Sequence, residues 1–309
     1  MISDWHKADT NTNTPHEVLR YIGPTPYARL GTTGKSGFLR LGFECDASGR
    51  TILRDWERRV PLIVQQALYF DEQLPDMACV YILSSGGPNL DGDRYEQLFT
   101  LRRGAMVHLS TGAATKIAEM RHNYSSLRQH IRLEEGSYLE YLPEPTIPCS
   151  GASYEVECRA VVAPSATLFY SDIFMCGRLH SGERYRYQRL DLSTRILRPD
   201  GELIFCERQV VEPTHSDVDN LAVMGGMELF ASLVIIAPAD VCSALYDSIM
   251  PKMERNLSLG VHLLPSGAGI VCRIAGRESG VVKRQVRELC SLLRQRLYGV
   301  GMPAEFPWR

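Results

Sequence analysis

Tyr-Glu-Val-Glu-Cys-Arg-Ala-Val-Val, residues 154–162, alternates apolar side chains with charged ones, and this alternation decides the fold class. Val156 and Cys158 share one parity, whereas Glu155 and Glu157 share the other. Successive side chains of a β-strand point to opposite faces of a sheet. The stretch therefore predicts a strand with one buried face and one solvated face.

Runs with the same period of two lie on both sides of this stretch. Residues 39–45 alternate in this way, and so do residues 203–211, although Glu207 falls on the face that the pattern expects to be buried. Turn-forming residues such as Gly86-Gly87 and Pro199-Asp200-Gly201 separate the runs. Short strands separated by such turns predict a large β structure, either antiparallel or stacked.

The spacing of the apolar residues changes after residue 225. The spacing of apolar residues predicts a strand over residues 228–236, a helix over 238–255, a strand over 269–275 and a helix over 279–298. The sequence therefore predicts one mostly-β body followed by a smaller α+β portion.

The sequence predicts one more helix and one cationic helix face. A further short helix is predicted over residues 111–121, because Ala113, Ala114 and Ile117 share a helical face. The last helix, over residues 279–298, has a cationic face opposite its apolar one, and we expect that face to be solvated. Its cations are Lys283, Arg284, Arg287 and Arg294.

Composition restricts the class of protein. The chain has 309 residues with a formal net charge of -2, so it lacks the basic field that nucleic-acid binding requires. Its longest apolar stretch, residues 229–237, is far shorter than the ~20 residues of a membrane span, so no membrane association is expected. Residues 1–34 are expected to be a disordered tail, and the N-terminus lacks the apolar core of a signal peptide. These features predict a cytoplasmic protein.

The nine cysteines are scattered singly, with no CxxC pair. Their odd number and the absence of an export signal predict reduced thiols, most of them small core residues. They are Cys45, Cys79, Cys149, Cys158, Cys176, Cys206, Cys242, Cys272 and Cys290.

No familiar catalytic signature occurs in the sequence. The motifs GxSxG, HExxH, GxGxxG and GxxxxGK[ST] are absent, and the eight histidines show neither HxH nor HxxxH spacing. We therefore expect neither a catalytic site nor a permanently bound metal or cofactor.

Acidic residues inside or beside apolar stretches are the more informative signal. Asp172 lies within the run from Leu168 to Met175, Glu140 lies between Leu139 and Tyr141, and Asp93 precedes a predicted strand. An unpaired buried charge costs several kcal/mol, so such acids are exposed, are paired, or line a wet cavity. Arg178 and Arg54 are candidate partners if the acids are paired.

The order of these segments resembles the urease accessory protein UreD (UreH) family. The resemblance rests on motifs in sequence order and covers residues 37–212 best. They are the GxLxLxF strand at residues 37–43, PLxVQ at 61–65 with Gln65, the GG and GD pairs at 86–93 with Asp93, TxxAxK at 111–116 with Lys116, LExLPxxxIP at 139–148 with Glu140, and Asp172 followed by Gly177-Arg178 and Glu183.

The resemblance implies a fold and a role. The fold would be mainly β, a β-helix-like stack of strands with a smaller C-terminal α+β portion that carries two helices. It would form a single domain over residues 35–309, with the β body at 35–224 and the α+β portion at 225–309. The role would be that of a non-enzymatic scaffold that binds UreF, binds the GTPase UreG through UreF, and docks on apo-urease as part of a dimeric accessory complex.

The resemblance also gives the acids a purpose, because nickel is thought to pass through a tunnel inside UreD. Asp93, Glu140, Asp172 and Glu183 become candidates for a transient nickel path, with no ion permanently bound. Oxygen ligands hold Ni²⁺ less tightly than imidazole or thiolate ligands, which suits passage. Structural ion pairs remain the alternative for each acid.

Two other classes of function stay open at this level. One is a β-helix carbohydrate-active hydrolase that uses Glu140 and Asp172 as its carboxylate pair. The other is a generic adaptor whose β surface binds proteins only.

Overall fold

The computed structural model describes residues 33–303, so the predicted tail at residues 1–34 lies almost entirely outside the described residues. The described chain is mainly β-strand. Its strands are β1 Ser36–Cys45, β2 Thr51–Arg59, β3 Leu62–Ile63, β4 Ala78–Ser84, β5 Arg94–Leu101, β6 Met106–Thr111, β7 Thr115–Ile117, β8 Ser125–Leu133, β9 Tyr138–Leu142, β10 Thr146–Pro148, β11 Ser153–Val162, β12 Thr167–Met175, β13 Arg189–Leu197, β14 Leu203–Val211, β15 Leu229–Ile236, β16 Lys252–Met253, β17 Leu257–Leu263 and β18 Gly269–Gly276. Its α-helices are α1 Ala239–Ser248 and α2 Ser279–Tyr298, and short 3-10 turns cover Leu179–Ser181 and Pro265–Gly267.

The strands form two facing sheets. The first sheet has seven strands in the order β14-β13-β11-β8-β5-β1-β2, and its five central strands are parallel. The second sheet has eleven strands, in the order β16-β17-β18-β15-β12-β9-β6-β4-β3, with β10 paired to β12 and β7 paired to β10. Between β4 and β13 the chain passes repeatedly from one sheet to the other, so each coil adds a strand to both. This β-solenoid-like stack confirms the predicted fold class.

Buried residues at matching registers hold the coils together. Leu41, Phe99, Ile131, Ala160 and Ile196 are successive neighbours across β1, β5, β8, β11 and β13. All five are at most 2% exposed. The alternation seen in the sequence therefore places one apolar row from every coil between the sheets.

The two helices lie on the outer face of the second sheet. Strand β15 pairs antiparallel with β12, so the C-terminal α+β portion continues that sheet. Helix α2 buries Val282, Val286 and Leu289 against sheet residues that include Leu233 and Ile235. Its bounds match the helix predicted over residues 279–298.

The short helix predicted over residues 111–121 is wrong. Residues 115–117 form β7, which pairs in parallel with β10, and Ile117 is fully buried. Pairing with a distant strand overrides a weak local helical pattern.

The helix predicted over residues 238–255 is too long. Helix α1 ends at Ser248, and Lys252–Met253 is already the strand β16. Pro251 explains the early end, because a proline lacks the amide donor of a helix and disfavours helical geometry in the residue before it. The pattern also missed β17, which follows.

Seven of the nine free cysteines are buried, as the sequence predicts. Cys45 is half-buried, and Cys206 is exposed on the edge strand β14. On the same strand Glu207 is half-buried and forms an ion pair with Arg273 of β18. No helix among residues 33–303 is long and apolar enough to span a membrane.

Candidate functional site

Asp172 of strand β12 faces the space between the two sheets. Tyr170 and Phe174, two residues on either side, belong to the packing between the sheets, whereas Ile173 packs on the side of the helices. Since side chains alternate along a strand, the Asp172 carboxyl group points into the interior of the stack. It nevertheless remains partly accessible, unlike most residues around it.

Within residues 33–303 no lysine, arginine or histidine forms an ion pair with Asp172. Its polar neighbours are Tyr141, Tyr154, Cys158 and Tyr170. Burial raises the pKa of Asp172 to about 7, and a hydrogen bond with Tyr170 only partly offsets that shift. Asp172 is therefore an interior acid that can hold or release a proton near neutral pH.

A chain of neutral polar groups extends from this acid across the interior. The Tyr170 hydroxyl donates to Oε1 of Gln129 at 2.8 Å, and Nε2 of Gln129 donates to Oε1 of Gln97 at 2.9 Å. The ring of Tyr141 stacks on that of Tyr170 with centroids 5.3 Å apart. The core between the sheets thus contains a polar layer of side-chain oxygen atoms, formed by Asp172, Tyr170, Gln129 and Gln97. Asp172 is the carboxyl group of this layer.

Glu140 of β9 points in the opposite direction, towards helix α2. Arg294 donates to both of its carboxylate oxygens, from Nε at 2.9 Å and from Nη2. His108 Nδ1 lies 2.8 Å from Oε1, while the Tyr138 hydroxyl and the Cys290 thiol donate to Oε2 at 2.9 and 3.0 Å. Burial alone would raise the pKa of Glu140, but Arg294 and His108 outweigh burial and hold the pKa well below its usual range.

Arg294 completes this group, which we call the buried charge cluster: Asp71, His108, Tyr138, Glu140, Cys290 and Arg294. Its Nη1 also donates to Oδ2 of Asp71 at 2.6 Å, and all three charged side chains are fully buried. The expectation of a solvated cation is therefore wrong for Arg294, which follows the buried Cys290 by one helical turn. That four-residue spacing was the signal available in the sequence; nothing in the sequence marked Asp71 or His108 as its neighbours.

Glu140 and Asp172 cannot act together on one substrate. Glu140 shares its face of the second sheet with the buried charge cluster, and Asp172 lies on the other face. A glycosidase needs both carboxyl groups on either side of one scissile bond. The placement of the two acids excludes this pair as a hydrolytic site.

Asp93 forms a structural ion pair at the start of β5. Its Oδ2 lies 2.9 Å from Lys35 Nζ and accepts a hydrogen bond from the Tyr95 hydroxyl at 2.8 Å. The backbone amides of Lys35 and Leu90 donate to its two oxygens, each at 2.8 Å. The carboxylate thus closes the turn that leads into the strand.

Glu183 forms a second ion pair, near the surface. Arg178 donates from Nε at 2.7 Å and from Nη2, and the Ser150 amide donates at 2.9 Å. Gly177 has a φ of 140°, and a Cβ there would collide with the carbonyl oxygen of Glu183. The Gly-Arg motif therefore permits a close turn and supplies the partner of Glu183. Arg54, the other candidate partner, contacts Glu44 at 3.5 Å.

The remaining motif residues lie apart from Asp172. Lys116 is exposed and lies near the thiol of Cys149. Burial is the main cause that raises the pKa of Cys149, and Glu183 raises it further, whereas Arg178 and Lys116 lower it. Gln65 lines a separate surface cavity of about 740 Å³ beside Lys283, which pairs with Glu144 at 2.8 Å. Among the described residues no three His, Cys, Asp or Glu side chains are grouped to hold a metal ion.

Comparison with known proteins gives a consistent result. Residues 35–309 match the family model described as UreD urease accessory protein. The chain is 37% identical to Urease accessory protein UreD 2 of Brucella ovis over 296 residues, which are 94% of this chain and 98% of that protein. It is 36% identical to Urease accessory protein UreD of Photorhabdus laumondii over 305 residues, covering 96% and 93% of the two chains. It is 37% identical to Urease accessory protein UreD 3 of Methylorubrum populi over 306 residues, covering 96% and 97%.

Proposed function

The chain belongs to the UreD family of urease accessory proteins, and from that premise we propose that it is a cytoplasmic scaffold for nickel delivery to apo-urease. In this proposal it binds UreF, carries the GTPase UreG through UreF, and docks on apo-urease as part of a dimeric accessory complex. It catalyses no reaction itself, and Ni²⁺ is its cargo.

The observation that carries the nickel part of the proposal is the placement of Asp172. Asp93, Glu140 and Glu183 each have a cationic partner within 3 Å, whereas no such partner of Asp172 occurs among the described residues. The first three acids therefore hold the walls of the path in place. Asp172 is the acid that meets the ion between the sheets, together with the hydroxyl and amide oxygens of Tyr170 and Gln129.

The oxygen ligands of this layer suit the passage of Ni²⁺ better than its storage. Carboxylate, hydroxyl and amide oxygens bind Ni²⁺ more weakly than imidazole or thiolate groups. A proton also competes with the ion, because the pKa of Asp172 is about 7. Below about pH 7 an arriving ion must displace that proton, and a returning proton helps to release the ion.

Exposed apolar side chains support a role in protein assembly. Leu221 is 91% exposed and Met253 is 97% exposed, and Met250 and Val223 add to the apolar surface near them in sequence. Apolar side chains that group into a large exposed patch mark interaction sites on soluble proteins. We propose that these two exposed segments, at residues 221–223 and 250–253, contact UreF or urease.

The test separates transfer of nickel from assembly. Asp172→Asn removes the charge with little change of volume, and Asp247→Asn, on the exposed side of helix α1, is the matched control. The accessory complex is isolated with apo-urease by size exclusion, and urease activity is then measured at limiting nickel in the same preparation. We expect both variants to form the complex, and only Asp172→Asn to activate urease weakly. Full activation by Asp172→Asn would remove this residue from the path, and loss of the complex would show that its role is structural.

A further inference from the structure

A second cavity, of about 420 Å³, lies where parallel strands of the first sheet end. Leu133 is the last residue of β8, Leu197 is the last residue of β13, and Val161 lies next to the end of β11; all three line the cavity. Parallel pairing brings these strand ends to one edge of the sheet. The loops that follow them form the remaining wall.

The charge of this cavity is unlike that of the whole chain. Four arginines and two glutamates line it, so it is locally positive, although the chain has a net charge of -2. The charged residues are Arg103, Arg132, Arg159, Arg198, Glu134 and Glu135.

Both glutamates are already engaged by hydrogen-bond donors of the wall. The backbone amide of Ser165 donates to Oε2 of Glu135 at 3.3 Å, and its hydroxyl donates to the same oxygen. The hydrogen bond from Ser165 is the main reason why the pKa of Glu135 is lowered, and Arg103 adds to it. Oε2 of Glu134 accepts from the backbone amide of Arg103 at 3.2 Å. The acids therefore brace the loops, and by count the lining carries two more guanidinium groups than carboxylates.

One of the arginines is held by backbone carbonyl groups. Nη1 of Arg198 donates to the carbonyl oxygens of Val162 and Ala163 at 3.3 and 3.2 Å. These contacts fix the guanidinium group at the cavity wall, where its charge also helps to lower the pKa of Glu135. A charge positioned in advance loses less freedom when a ligand binds.

We propose that this cavity binds a small molecule that carries a phosphate group. Guanidinium groups offer planar pairs of donors that match phosphate oxygens in a bidentate manner. The half-buried apolar side chains of Val161 and Leu197 provide surface for an organic body, and the volume falls in the range of about 300–1,000 Å³ typical of small-ligand sites. The site is separate from the nickel path, so it stands or falls independently of the proposed function.

Two sources of phosphate are distinguished by calorimetric titration of the full-length chain. Inorganic pyrophosphate tests recognition of phosphate alone, and GTP and ATP test recognition of a nucleotide. We expect at least one of the three to bind, with affinity that falls as salt is raised. Tighter binding of a nucleotide than of pyrophosphate assigns the apolar wall to the base, and equal binding assigns the site to the phosphates.

The double variant Arg103→Gln/Arg132→Gln tests the location, because both residues are exposed and their loss leaves the core intact. Removing two charged donors should weaken binding by about tenfold or more. Arg132→Lys keeps the positive charge but loses the planar pair of guanidinium donors, so it should weaken binding by less than the double variant does. Arg54→Gln, on strand β2, is the control and should bind like the parent. Circular dichroism verifies that each variant is folded.

Three results would overturn the proposal. One is the absence of binding by all three phosphate compounds at millimolar concentration. Another is unchanged affinity in the folded double variant. The third is binding of poly-glutamate alone, which would assign the cavity to an acidic protein segment.

Discussion

Arg294 of helix α2 and Glu140 of strand β9 form a fully buried, bidentate ion pair on the outer face of the second sheet. Asp71 lies on the other side of the same guanidinium group, 2.6 Å from Nη1. One arginine therefore ties the last helix to two parts of the β body that lie 223 and 154 residues away in sequence. The pair fixes the position of the helix more than it contributes net stability, because desolvating buried charges is costly.

Arg294→Met should destabilise the protein by about 3–5 kcal/mol, because it leaves Glu140 and Asp71 buried without their cation. Arg284→Met, on the exposed part of the same helix, should change stability by less than about 0.5 kcal/mol. Urea unfolding followed by circular dichroism measures both. A loss of under about 1 kcal/mol in Arg294→Met would contradict this prediction and would mean that Glu140 and Asp71 tolerate burial without the guanidinium group.

Local patterns in the sequence predicted much of the β structure, and the reason is physical. Strand β11 and helix α2 each have one buried face, so their periodicity is strong. The helix predicted at residues 111–121 failed because β7 is held by pairing with β10, and that contact leaves no local pattern.

The candidate site was harder to predict. The sequence marked Asp172 and Glu140 as acids in apolar surroundings but could not tell which face of the sheet each one occupies. That assignment depends on the register between β9 and β12, where Glu140 lies opposite Phe169. A shift of one residue would exchange the faces. The partners of Glu140 come from β6 and α2, and no spacing rule connects them.

Asp172→Asn should be more stable than the parent protein at alkaline pH. The folded-state pKa of Asp172 is raised from 3.8 to about 7, so the folded state holds a proton that the unfolded state has released over this range. Stability attributable to Asp172 therefore falls as pH rises from about 4 to about 7. Asparagine cannot ionise, so the advantage of the variant should grow across that window and level off above it.

Urea unfolding of Asp172→Asn at several pH values between 5 and 9 measures this dependence, with Asp247→Asn as the control. Glu140 does not confuse the result, because its pKa is lowered and its contribution is lost only in more acidic solution. Equal stability of the parent and Asp172→Asn at pH 8 would show that the carboxylate is well hydrated inside the stack.

The cysteines should affect stability according to their burial and should have no part in nickel transfer. Cys79→Ala and Cys158→Ala remove fully packed thiols and should each lower stability by about 1–2 kcal/mol. Cys206→Ala, on the exposed edge strand, should change it by less than about 0.5 kcal/mol. Urease activation by each folded variant should match the parent. A stable variant that assembles but fails to activate urease would reveal a thiolate on the path.

The isolated protein should bind Ni²⁺ weakly and in a pH-dependent manner. Among the described residues no three His, Cys, Asp or Glu side chains form a metal-binding group, so stoichiometric sub-micromolar binding is not expected. Binding at Asp172 requires its deprotonated form, and because burial raises its pKa to about 7, affinity should increase between pH 6 and pH 8. Calorimetry under reducing conditions in two buffers of different ionisation enthalpy should detect release of a proton with each ion. Asp172→Asn should abolish that release, and Asp247→Asn should preserve it. Tight binding that persists in Asp172→Asn would place the nickel site elsewhere in the chain.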